Sequence, residues 1–285
     1  MEVLTFTNST GESVVLKGSA PFLLEKVEGV GSPRARLITS KSVGQDGETY
    51  HDTLIEGREV RIEVAILAKY NIELFELRRL LNRIFNPKLK EGTLTYDNDF
   101  GKWEIKATSV QAPVEGEKFS SSQKMMINLR CSNPFWSEIY AKSEEIAVWM
   151  SGMKFPLTLP TMFAYKSDPR MNIINKGDIK TPVEITIVGP VINPKIINKN
   201  TGEFIKVNRT LTTADRLYIV TEFGQKRAFI KDNEGIETNV LNWIDLDSTM
   251  GFGLEVGDNV IEFSSDDELL KARIFIKYRN LYVGV

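Results

Sequence analysis

The chain is poor in the side chains on which many enzymes and metalloproteins depend. Among 285 residues there is one cysteine, Cys131, and one histidine, His51. A lone cysteine cannot form an intrachain disulfide, and a lone histidine excludes any site that needs two imidazoles. Cys131 ends an alternating strand with no basic cluster beside it to lower its pKa, so it reads as a small core hydrophobe. His51 has no nucleophile motif and reads as a loop or strand-edge residue. No stretch approaches ~18 uninterrupted apolar residues, so no transmembrane helix is expected. The N-terminus, Met-Glu-Val-Leu-Thr-Phe-Thr-Asn, has neither the basic region nor the apolar run of a signal peptide. Synthesis in a cytoplasm is therefore expected, with export only inside an assembly or by lysis. Charge of one sign is also missing. Lys and Arg number 36 against 38 Asp and Glu, a net charge of −2. A general nucleic-acid binder needs a basic surplus to release counterions, and this chain has none.

What is present is length and strand signal. The chain is long enough for two domains of ~100–200 residues, each able to bury a core without staples. Val60, Ile62, Val64 and Ile66 alternate with Arg61, Glu63 and Ala65, the period of a half-buried strand. Met125, Ile127 and Leu129 repeat the pattern, as do Val183–Val188 and Arg273–Tyr278. Turn signals such as Asp97-Asn98-Asp99, Asn200-Thr201-Gly202 and Gly257-Asp258-Asn259 separate short strands. The pattern predicts a mainly β protein of two antiparallel β-sandwiches rather than βαβ units.

One helix is expected over residues 72–85, in the first domain. Asn71 is its expected N-cap and Glu73 favours the dipole in the first turn. Tyr70 and Phe75 stand at the positions of a hydrophobic staple. Leu74, Leu77, Leu80, Leu81, Ile84 and Phe85 form one stripe, Arg78, Arg79 and Arg83 lie opposite, and Pro87 stops the helix. The expected division is 1–136 for the first domain, 137–154 for a connector without a clean period, and 155–285 for the second. The prolines of Phe155-Pro156-Leu157-Thr158-Leu159-Pro160 force extended backbone just beyond that connector.

No catalytic, cofactor or metal site is expected. The carboxylate pairs Asp97/Asp99, Asp245/Asp247 and Asp266/Asp267 sit in turns, where Asp caps its own backbone, rather than across a cleft. Asp97–Gly101 lacks the further ligands of a calcium loop. Gly29-Val30-Gly31 lacks the third glycine and the following helix of a dinucleotide site, and Pro33 argues against that helix. The sequons at Asn8 and Asn208 have no meaning without secretion. Trp103, Trp149, Trp243, Tyr218 and Tyr282 could stack on sugars, although tryptophans in sandwiches are usually core.

The order Leu4-x-Phe6-x-Asn8-x-x-Gly11, Pro21–Pro33, Gln45-Asp46-Gly47, Gly57-Arg58-x-Val60-x-Ile62, one helix, then Cys131–Trp136 resembles the distal tail proteins of long-tailed phages. Ile174–Asp178, Thr181–Ile187 with Gly189, Ala214–Thr221 and Phe252–Ile261 resemble the C-terminal domain of the same family. The resemblance implies a galectin-like or carbohydrate-module-like second sandwich and a non-enzymatic structural protein of a phage, prophage or tail-derived bacteriocin particle. It implies a hexameric ring, formed by the N-terminal halves around a channel through which DNA passes. Its implied partners are other copies of itself, the tail-tube protein, a tail-tip hub or tail-lysin protein, and a receptor-binding protein beyond them. The expected assembly surface comprises Gly29, Gly31, Pro33, Gln45, Asp46, Gly47, Arg58, Arg78 and Arg79. The alternative reading is a carbohydrate-binding receptor module for cell-wall polysaccharide.

Overall fold

The computed structural model describes residues 2–31, 33–147, 149–151, 164–166, 169–266 and 272–285. They divide into two units, residues 1–139 with 282–285, and residues 140–281. This departs from the expected division at two places. A strand, Lys142–Ala147, stands where a connector is expected, and the last four residues return to the first unit. The strand escapes the sequence pattern because it is an edge with one neighbour, so Ile146 is its sole buried apolar side chain among the described ones. The Phe155–Pro160 run lies outside the described residues, as do Asp267 and the side chain of Trp149.

The first unit contains β1 (Val3–Thr7), β2 (Ser13–Lys17), β3 (Phe22–Glu28), β4 (Ala35–Ser40), β5 (Thr49–Ile55) and β6 (Arg58–Leu67). Then come α1 (Asn71–Ile84), β7 (Gly92–Asp97), β8 (Lys102–Ser109), β9 (Val114–Phe119), β10 (Ser122–Cys131) and β11 (Trp136–Glu138). The alternation read from sequence is the alternation of burial: Val60, Ile62, Val64 and Ile66 of β6 face Met125, Ile127 and Leu129 of β10 inside one core. The run β8-β7-β1-β2-β3-β6-β10 closes on itself, because β8 also pairs β10 through Leu129 with Ser109 and Arg130 with Thr108. Closure removes edges that an open sheet would expose. Period-two patterning specifies which face is buried but cannot show that the ends meet.

Helix α1 packs Leu74, Leu81 and Ile84 onto this barrel, and Phe85 beyond it stacks on Phe6 at 4.7 Å. Its start differs from expectation. Asn71 is already helical, and Tyr70 precedes it in extended conformation without a side-chain cap. Glu73 instead reaches back to accept from the Lys69 N–H at 2.7 Å, tying the chain just before the helix to its first turn. Tyr70 and Phe75 are 72% and 53% exposed, so no staple forms there.

The expected surface residue Arg58 is buried in the first unit, at 1% exposure, and this corrects its assignment. Its guanidinium faces backbone carbonyls only. Nε donates to the Pro134 carbonyl at 2.9 Å, and Nη1 donates to those of Gly29 and Val30 at 2.5 and 2.7 Å. Nη2 donates to the carbonyl of Val283. The Trp136 ring lies 5.8 Å from the guanidinium carbon, and its Nε1 donates to the same Val30 carbonyl at 3.0 Å. A fork of donors can tie several carbonyls at once, which a point-charge ammonium cannot. Burial without a carboxylate lowers the Arg58 pKa from its ordinary value. Cys131 lies in the same core, and burial pushes its thiol up to about 12. Glycine is required beside Arg58: Gly29 has φ +87°, and a Cβ there would fall 2.0 Å from the Glu59 carbonyl oxygen.

The second unit contains β12 (Lys142–Ala147), β13 (Trp149–Ser151), β14 (Ala164–Lys166), β15 (Arg170–Asn175), β16 (Thr181–Val188), β17 (Val191–Ile192) and β18 (Lys195–Asn198). It continues with β19 (Phe204–Lys206), β20 (Thr210–Leu211), β21 (Arg216–Val220), β22 (Arg227–Lys231), β23 (Glu237–Asn239) and β24 (Gly253–Leu254). β25 (Gly257–Ser264) and β26 (Arg273–Tyr278) follow. One sheet runs β12-β26-β16-β21-β22-β23 with β24 on β16, and the other runs β15-β25-β18-β19. Ile185, Ile187, Leu217, Ile219, Ile274 and Ile276 share one core with Ile196, Ile261 and Phe263, which makes the unit a sandwich. Buried amides stitch its loops. Asn259 Nδ2 donates to the carbonyls of Glu255 and Gly257 at 2.8 and 2.9 Å, and its Oδ1 accepts from Asn198 Nδ2 at 2.8 Å.

Two stability measurements test this packing. Arg58→Met should lower stability by about 3 kcal/mol or more, because buried carbonyls lose their donors. Arg58→Lys should recover part of the loss, and urea unfolding followed by tryptophan fluorescence measures both. In α1, Leu81→Asp should cost about 3–5 kcal/mol. Leu77→Asp, at a half-buried position, should cost less than half of that in the same assay.

Candidate assembly surface

Strands β4 and β5 form a two-stranded ribbon that pairs with no other strand among the described residues. The polar segment Thr39–Thr53, read from sequence as a protruding hairpin, supplies its outer half. Gln45, Asp46 and Gly47 are at its tip. Gln45 Oε1 accepts from the Ser42 N–H at 3.0 Å and its Nε2 donates to Thr49 Oγ1 at 3.0 Å, so the side chain braces the turn. Gly44 and Gly47 supply the positive φ that the turn needs. His51 Nε2 meets Ser40 Oγ at 2.6 Å on the exposed ribbon.

The ribbon has apolar residues on both faces. Registers place Leu54 opposite Arg36 and Ile38 opposite Asp52 on one face, and Leu37 opposite Thr53 on the other. Leu37, Leu54 and Tyr50 are more than half exposed, and Val43 at the tip is fully exposed. An isolated two-stranded ribbon is at best marginally stable in water, and apolar side chains on both faces leave it no inner side. This signal was legible in sequence, in Leu37, Ile38, Tyr50 and Leu54, but a segment named for its glycines and acids hid it.

Where the ribbon leaves the barrel, its base is fixed. The Glu56 N–H donates to the Arg34 carbonyl at 2.9 Å, and Arg58 holds Gly29 and Val30 two residues on. Gly29, Gly31, Pro33 and Arg58 therefore belong together at the base, with Gly29 and Arg58 as internal fixtures and Gly31 on the exposed side. A cleft of about 640 Å³ opens here, lined by Gly29, Pro33, Arg34, Glu56, Glu59 and Arg130 among others.

Arg78 and Arg79 stand apart from the ribbon, on α1. Arg79 is exposed. Arg78 is ion-paired with Glu115 of β9 and lies 5.5 Å from the Phe75 ring, while Lys118 Nζ lies 4.8 Å from the same ring. β9 is the outermost strand of its sheet and exposed along its whole length. Exposed Ile72, Phe75, Val114 and Phe119 make this helix-and-edge region apolar. Sequence reasoning missed β9, because its charges, Glu115, Glu117 and Lys118, mask the strand period.

Among the described residues no group of three His, Cys, Asp or Glu side chains stands close enough to hold a metal ion. Of the acidic turns, Asp97 pairs with Lys102 at 3.0 Å and Asp266 accepts from Asn193 Nδ2 at 2.7 Å, while the Asp245 turn acts on its own backbone. Asp245 Oδ1 accepts from the Asp247 N–H at 3.1 Å, and that bond, with one from Asn208, holds its carboxyl below the usual range.

The comparisons agree across both units. Residues 9–131 match the model of the phage tail protein RIFT-related domain, and residues 176–282 match that of the siphovirus-type tail component, C-terminal domain. None of the curated proteins matches the chain. Among solved structures, the chain is similar to the Dit protein of phage SPP1, described as a paradigm of hub adsorption apparatus in phages infecting Gram-positive bacteria. That likeness has a TM-score of 0.70 at 12% identity and covers 98% of this chain and 99% of that one. It is also similar to a chain of the phage P2 baseplate in its activated conformation with Ca, with TM-score 0.52, 15% identity and 97% of both chains covered. The same baseplate with Sr gives 0.51, 14% and 97% of both. With a family domain matched in each unit and one fold shared end to end, the chain belongs to the siphophage-type distal tail components, structural proteins of the phage tail.

Proposed function

We propose that the chain forms a hexameric ring at the tip of a phage tail, joining the tail tube to the tail-tip hub and the host-adhesion apparatus. The observation that carries this reading is the β4–β5 ribbon, whose exposed apolar residues on both faces need a partner to cover them. A second copy is the natural partner. β9 offers it an unpaired ladder along a full strand, flanked by Phe75 and Phe119. Strand addition at such an edge supplies main-chain hydrogen bonds, and the alternate apolar side chains supply register. Repeated from copy to copy, that contact is heterologous, the kind that closes a ring when its rotation fits. The relatives fit the same role, since one is described as a hub and the other as part of a baseplate. Membership of the tail family supports docking of the tail-tube protein on one side and a hub or lysin protein on the other, and neither requires catalysis by this chain.

The test is assembly of the purified chain, alone and with its tail-tube protein, measured by light scattering and negative-stain microscopy. Rings are expected. Leu37→Asp with Leu54→Asp should abolish them while leaving the melting temperature within ~2 °C, because both side chains are exposed in the monomer. Rings that survive this double variant would contradict the role given to the ribbon.

A further inference from the structure

The larger sheet of the second unit has one face in the core and one face outward. On the outward face the registers set six residues in a single row across six strands. From β12 to β23 these are Glu145, Phe275, Thr186, Tyr218, Phe229 and Asn239. Three are aromatic and partly exposed. Tyr218 and Phe229 stack at 5.0 Å with 13° between ring planes. With strands ~4.8 Å apart, the row from Phe275 to Phe229 is ~14 Å long. The Tyr218 hydroxyl has no hydrogen-bond partner among the described residues.

Cations border this row on both sides. Arg273, Val188, Arg216 and Lys231 form the next row on one side, and Lys277 and Arg227 lie on the other. Three of the five cations are neutralised by acids on the same face: Arg273 by Glu145 at 2.6 Å, Lys277 by Glu184 at 3.1 Å and Lys231 by Glu237 at 3.8 Å. Arg216 and Arg227 have no ion-pair partner among the described residues, and Arg227 lies 5.2 Å from the Phe229 ring. Cross-strand stacking alone stabilises a sheet and accounts for Tyr218 beside Phe229. It does not account for Phe275 two strands away in the same row, nor for two unpaired guanidinium groups flanking it.

We propose that this face binds an anionic glycan. Its sugar rings lie along Phe275, Tyr218 and Phe229, and its carboxylate or phosphate substituents meet Arg216 and Arg227. A row set flush in a flat sheet suits an extended chain better than a compact ligand, which needs a concave pocket. Sugar rings present flat apolar faces to aromatics, while guanidinium groups fit carboxylate and phosphate in bidentate geometry. The free Tyr218 hydroxyl and Thr186 are placed to bond sugar hydroxyls. This binding role stands apart from ring assembly and is read from the second unit alone.

The test uses the full chain in affinity electrophoresis against polygalacturonate, a phosphate-bearing wall polysaccharide, neutral dextran and poly-glutamate. Retardation by at least one of the two anionic glycans is expected, with dextran and poly-glutamate much weaker. Tyr218→Ala, and the pair Arg216→Ala with Arg227→Ala, should each weaken it about tenfold, whereas Tyr218→Phe, which keeps the ring and loses only the hydroxyl, should weaken it by about threefold. Melting curves confirm that the variants are folded. Retardation by neither anionic glycan, equal retardation by poly-glutamate, or full binding by folded Tyr218→Ala would each overturn the proposal.

Discussion

A buried cation with no acid beside it holds the first unit together. The Arg58 guanidinium is satisfied by carbonyls from three stretches of chain far apart in sequence: the turn at Gly29–Val30, the bend at Pro134 and the returning tail at Val283. Placing a charge in a core is costly unless its donors are matched, and each carbonyl is costly if left bare. Together they are mutually required. Trp136 completes the arrangement by covering the guanidinium and sharing the Val30 carbonyl. The consequence is mechanical: the base of the β4–β5 ribbon, two residues before Arg58, is anchored by a buried side chain of the barrel. A ribbon that must find a neighbour can then project from a fixed point.

Much of the fold was legible. The period-two runs at Val60–Ile66 and Met125–Leu129 became the strands they spelled, because each has one face in the core. The helix was legible from its leucine stripe, but its first turn was not. Asn71 is a common cap residue, yet here it is already helical, and Tyr70 takes the cap position without a side-chain hydrogen bond. Barrel closure was not legible, since β8 meets β10 over two residue pairs that no local pattern encodes. The site divided in the same way. The glycines and acids of the ribbon tip mark a turn by their chemistry, so Gln45–Gly47 fell where expected. Arg58 did not: the period of its strand sets it in phase with Val60, Ile62 and Val64 on the buried face, but its charge made it read as surface, and nothing in sequence reveals that carbonyls await it. β9 was hidden by its own charges.

The second unit shows how polar residues can define loops inside a core. Asn175, Asn198, Asn259 and Asn280 are all buried, and their amides bind the backbone of neighbouring turns. Two of them, Asn175 and Asn259, fall within the runs that gave the sequence its family resemblance. The resemblance lies in residues that fix loop geometry, so it reports on the fold, and the galectin-like form of the sandwich does not by itself assign a ligand. Any such role must come from side chains such as those on the outward sheet face.

The central claim is that a rigid barrel presents an ordered base and an uncovered ribbon, which assembly then covers. Amide hydrogen exchange of the free chain and of assembled tail tips measures this directly. The account predicts slow exchange around Val60–Ile66 in both states, and fast exchange across Ala35–Ile55 in the free chain that becomes slow in the assembly. Slow exchange of the ribbon already in the free chain, or fast exchange persisting in the assembly, would contradict it.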